Sequence, residues 1–141
     1  MSRIKIHLPE KFIFKTEIIV RIDDLNYGQH LANDRLLAFA HEARVQFLHS
    51  LGYGELTFCG LGLIMADAAV SFKAEAFQGD TLSIEVAVHD LSKYGFDFIY
   101  KVSDKLTKSE IALIKTGMVC FDYEKRKIAS LPQEAKEKLH G

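Results

Sequence analysis

The chain has 141 residues, 48% of them hydrophobic and 26% charged, with a formal net charge of −1. That length fits a single domain over residues 1–141 with a sizeable core. A near-neutral balance without a block of like charges excludes a nucleic-acid face and a polybasic membrane patch, so a charged ligand must be met locally.

The first dozen residues, M1-S-R-I-K-I-H-L-P-E-K-F, hold no apolar core followed by a small-residue cleavage site, and no later run approaches the ~18 uncharged apolar residues of a membrane span. A cytosolic chain without membrane insertion is expected. From Phe12 to Ile22, alternation at Ile18, Val20 and Ile22 predicts a strand. A polar run follows, D24-L-N-Y-G-Q-H-L-A-N-D34, in which Tyr27-Gly28 suits a tight bend with Gly28 at positive φ. Leu36, Ala40, Ala43, Phe47 and Leu51 then recur at spacings of three and four, which predicts an amphipathic helix over 34–51. Asn33 or Asp34 can cap its start, and Gly52 follows as a left-handed stop.

Beyond the helix the pattern is sheet. Gly62–Ala74 is a long strand candidate, Gln78-Gly79-Asp80 a turn, and Thr81–His89 a half-buried strand with Leu82, Ile84, Val86 and Val88 on one face. Lys93–Val102 alternates Phe96, Phe98, Tyr100 and Val102 with polar residues, and the segment 103–109 supplies a turn. Ile111–Tyr123 is apolar on both faces, as a central strand would be, and a short helix follows Pro132. Strand, long helix, then four strands joined by turns is an α+β layout, an antiparallel sheet that can wrap around one helix.

Cys59 and Cys120 stand far apart in apolar surroundings and are read as reduced core thiols. The histidines at 7, 30, 41, 49, 89 and 140 show no metal-ligand spacing, so no metal is expected.

The loop D24-L-N-Y-G-Q-H-L-A-N-D-R-L36, the helical H41-E-A-R44, the turn Gln78-Gly79-Asp80 and Leu131-Pro132 come in the order and spacing of the hot-dog fold thioesterases, of the 4-hydroxybenzoyl-CoA and acyl-ACP types, which the chain resembles over most of its length. The resemblance implies a hot-dog fold, in which the antiparallel sheet wraps a long central helix. It also implies hydrolysis of coenzyme A or acyl carrier protein thioesters without a cofactor, in a homodimer or a dimer-of-dimers tetramer with sites between subunits. One departure matters: the aspartate that acts in the first type falls on Asn26, and the asparagine that acts in the second falls on Gly28. Neither can serve as a base.

Thioester hydrolysis requires a positioned water, a group to take its proton and amide donors at the oxyanion. The amides near Asn33 and Asp34, at a helix start, are natural donors. For the catalytic group the candidates are Glu42, expected to be desolvated in a cavity and so to serve as general base, and His30. Asn26 would orient water. Asp24, two residues earlier and on the same side of an extended segment, would brace the loop or join the chemistry, and Asp67 is a further acid. Lys73, Lys93, Lys125 and Arg126 could meet coenzyme A phosphates. Two rival readings are an acyl-CoA binding protein without turnover, favoured by Asn26, and a hot-dog enoyl-CoA hydratase using Asp24 and His30.

Overall fold

The structure is a computed structural model that describes residues 4–140. Its strands are β1 (Phe14–Ile19), β2 (Gly62–Phe72), β3 (Thr81–His89), β4 (Gly95–Asp104), β5 (Glu110–Asp122) and β6 (Lys127–Ile128). Its helices are α1 (Arg35–Ser50) and α2 (Gln133–Leu139), with a short 3-10 turn at Ile22–Asp24. The strands form one antiparallel sheet in the order β1-β3-β4-β5-β2, with β6 added alongside β5. β5 lies between β4 and β2 over most of its length, which explains why its sequence is apolar on both faces.

One face of the sheet is fixed by register. Val86, Tyr100 and Ile114 lie in one cross-strand row, and Phe98 and Thr116 in the next. All are buried and turned toward α1. From the helix, Leu36, Phe39, Ala40, Ala43, Phe47 and Leu48 meet them, and Phe47 sets its ring edge-on to Phe98 at 5.9 Å. Burying a side chain of that size contributes roughly 2–3 kcal/mol. The outcome is the sheet wrapped on a long helix that the resemblance implies.

Several expectations need correction. β1 is shorter than predicted, because after Ile19 the chain leaves the sheet for the 3-10 turn. Asp24, in that turn, is therefore not aligned with Asn26 as an extended segment would place it. Neither Asn33 nor Asp34 caps α1 with a side chain; the Arg35 amide is instead taken by the Ala32 carbonyl. Gly52 does end the helix at φ 83° and Gly79 turns at φ 88°, as expected. In the polar loop, however, the positive φ falls on Gln29 at 67° and not on Gly28. The hairpin of β5 with β6 was not predicted, since β6 is two residues long.

Candidate active site

The polar loop is a closed structure. Leu25 and Leu31 form a β-bridge, the Asn26 amide donates to the His30 carbonyl at 3.0 Å, and the Gln29 amide donates to the Asn26 carbonyl at 3.0 Å. The Asn26 side-chain oxygen accepts from the Gly28 amide at 2.8 Å. A Cβ on Gly28 would lie 3.1 Å from that oxygen and 3.2 Å from His30 Nε2. Gly28 is thus required by close approach, and it is where Asn26 and His30 come together.

Two ties hold the loop in place. The Leu31 amide donates to the Ala76 carbonyl at 2.7 Å, which fixes it to the segment after β2. On the other side, buried Asp24 accepts from the Arg21 amide at 2.9 Å and from Arg35 Nε and Nη2 at 3.1 and 2.9 Å. The hydrogen bond and charge of Asp24 raise the pKa of the Arg35 guanidinium. Asp24 is a brace of the strand-to-helix elbow, with its carboxylate fully engaged.

His30 is half-buried, and its Nδ1 lies 3.2 Å from the Leu31 carbonyl oxygen. A carbonyl can only accept, so Nδ1 carries a proton, and in the neutral ring the lone pair is then on Nε2. His30 lines a cleft of about 290 Å³ with Leu31, Asn33, Leu36, Phe72 and Ile111, and Lys73 and Glu75 complete the wall. Glu75 was not foreseen from sequence; its Oε1 is 3.9 Å from His30 Nε2. Near the same cleft, the amides of Asn33 and Asp34 have no backbone acceptor among the described residues.

The remaining candidates are elsewhere. Glu42 is exposed, accepts from Gln46 Nε2 at 2.7 Å, and lines a separate cleft of about 210 Å³ with Asp24, Arg35 and Phe39. Within one chain the structure does not bring Glu42 to His30, and its carboxylate is not desolvated. Asp67 follows a bulge in β2 and lies over Gly117, on the sheet face away from α1. Of the four basic residues, Lys73 alone lines the His30 cleft. A larger hollow of about 500 Å³, between residues 9–13, the end of β3 and the end of α2, contains none of the candidate residues.

Behind the clefts, Arg44 projects from α1 into the core. It is buried and donates to Glu55 at 2.9 Å and to Tyr100 Oη at 3.1 Å, and Tyr100 Oη meets Thr116 Oγ1 at 2.8 Å. Burial opposes the Glu55 charge, but His41 and Arg44 together hold its carboxyl below the usual range. This network pins the segment after α1 to the sheet.

The sequence profile of the thioesterase-like superfamily matches residues 20–139. A provisionally named esterase of Aquifex aeolicus (strain VF5) is 30% identical over 130 residues, covering 91% of this chain and 97% of that protein. Among solved structures, the 1,4-dihydroxy-2-naphthoyl-CoA thioesterase Slr0204 of Synechocystis superposes with a TM-score of 0.82 at 25% identity, over 90% of this chain and 95% of its own. The provisionally assigned thioesterase YbaW of Escherichia coli does so with a TM-score of 0.78 at 25% identity, over 89% and 95%.

Proposed function

The chain belongs to the thioesterase-like superfamily, and on that premise we propose that it hydrolyses acyl thioesters of coenzyme A or of an acyl carrier protein, releasing a carboxylic acid and a free thiol. The observation that carries this reading is the single free lone pair of His30. With Nδ1 held by Leu31, Nε2 is the acceptor, on the wall of a cleft whose other walls are largely apolar.

In this reading the acyl group lies against Leu31, Leu36, Phe72 and Ile111, with the thioester carbonyl toward the start of α1. A water attacks the carbonyl carbon and gives its proton to His30 Nε2. The oxyanion is met by the Asn33 and Asp34 amides, which carry the partial positive charge of a helix start. Collapse of the tetrahedral intermediate breaks the C–S bond, and the leaving thiolate takes the proton back from His30. Glu42, in the other cleft, has no part in these steps, and Asn26 shapes the loop that presents His30. No cofactor is called for, because water, a base and amide donors complete the reaction. A cytosolic location belongs to this reading as well.

The assembly follows from β2, an edge strand that is exposed from Met65 to Ala68. An unpaired strand edge is a template for another chain. Phe72, 53% exposed, both ends this strand and lines the His30 cleft, so a second copy on β2 would help to close the site. A homodimer through β2, with two such dimers making a tetramer, is the corresponding expectation.

Free-thiol release from a panel of aromatic and aliphatic acyl-CoAs, and from the same acyl groups on a carrier protein, tests the reading. Turnover supports it. Tight acyl-CoA binding without thiol release would replace it by the binding-protein reading, and hydration of crotonyl-CoA without release by the hydratase.

A further inference from the structure

His30 does not act alone at the cleft wall. Glu75 belongs to the segment that links β2 to β3, and it is held in place there: the neighbouring Ala76 is buried, and its carbonyl accepts from the Leu31 amide, the residue after His30. On the other side, the Lys73 and Ala74 amides donate to the Ile111 carbonyl at 2.9 and 3.2 Å. Two chain segments distant in sequence are thus stitched so that Glu75 Oε1 and His30 Nε2 are 3.9 Å apart on one cleft. With His30 Nδ1 the donor, both facing atoms are acceptors in the neutral ring.

Two acceptors at that separation suit one particular guest. A water about 2.8 Å from each can direct one O–H to His30 Nε2 and the other to Glu75 Oε1, which leaves its own lone pairs facing into the cleft. Resting on the hydrolase reading above, we propose that Glu75 and His30 together hold the attacking water, and that Glu75 supplies the carboxylate missing at Asn26. During attack the water oxygen forms the new C–O bond while one of its protons passes to Nε2. The other stays bonded to the water oxygen, hydrogen-bonded to Glu75 Oε1, and becomes the proton of the product acid. Glu75 also faces the imidazolium so formed, and Lys73 is the other charged group lining the cleft.

The test uses the full-length protein. Glu75 is mostly exposed, with 63% of its side chain accessible, so substitutions there leave the fold intact. Glu75→Ala removes the second acceptor and should lower kcat for thiol release by about tenfold or more, with KM within about twofold. Glu75→Gln keeps an acceptor oxygen and should recover part of that loss. Equal kcat for wild type and Glu75→Ala would overturn the proposal. An independent check is a crystal structure of the wild type, which should show a water within hydrogen-bond distance of both atoms that is lost in Glu75→Ala; a clear cleft without it would also overturn the proposal. A wild type that binds such a water and yet releases no thiol would refute the hydrolase reading and leave the water site standing.

Discussion

His30 faces two directions at once, and Gly28 decides how well it does so. A methyl on Gly28 would come within 3.1–3.2 Å of Asn26 Oδ1 and His30 Nε2, closer than most Cβ contacts, so the imidazole must give way by a few tenths of an ångström. Gly28→Ala should therefore reduce kcat several-fold, since small misplacements of a catalytic group are costly, while the urea midpoint moves little. Comparing both measurements on the same preparation checks this. Part of this site can be read from the residues: a histidine in a polar loop, followed by a helix start, is visible at Gln29-His30-Leu31 and Asn33-Asp34. The Glu75 partner is not. Its proximity is produced by a backbone bond from Leu31 to Ala76, and no side-chain pattern records that bond. Glu42 misleads for the opposite reason: its place near an apolar stripe suggests burial, but that edge of α1 faces solvent beside Gln46.

At the scale of elements, the elbow between β1 and α1 depends on Asp24 and the packing of α1 on Arg44. Asp24→Ala strands the Arg21 amide and the Arg35 guanidinium, and should lower stability by roughly 1–3 kcal/mol in urea denaturation. Arg44→Met removes a buried cation from Glu55 and Tyr100 and should lower it by roughly 2–4 kcal/mol. Glu55 adds a pH dependence with a definite sign. Its folded carboxyl titrates below the ordinary value of 4.5, so its contribution is present above that pH and is lost as pH falls through the depressed value. Unfolding followed between pH 6 and 3 should show a shallower acid loss in Glu55→Gln than in the wild type. β3 was legible to the residue, because alternation marks a strand bounded by a glycine turn. The ends of β1 and β4 were not, since backbone pairing with neighbours sets them, and Arg44 gave no sign of burial because its partners, Glu55 and Tyr100, come from other elements.

For the whole molecule, the open β2 edge and the cleft beside it belong to one question. Met65 is 48% exposed on that edge; the proposed dimer should sediment as such in the wild type, and Met65→Lys, which places a charge where a second sheet would pair, should shift it to monomer while reducing turnover. The hot-dog layout itself is readable from element order, whereas the proposed pairing across β2 has no signature in one chain's sequence pattern. The role of His30 is measured most directly by the rate of thiol release from acyl-CoA by wild type and by His30→Gln, each shown to be folded. Wild-type turnover is expected, with a loss of about a hundredfold or more in the variant. Turnover that survives His30→Gln unchanged would contradict that role.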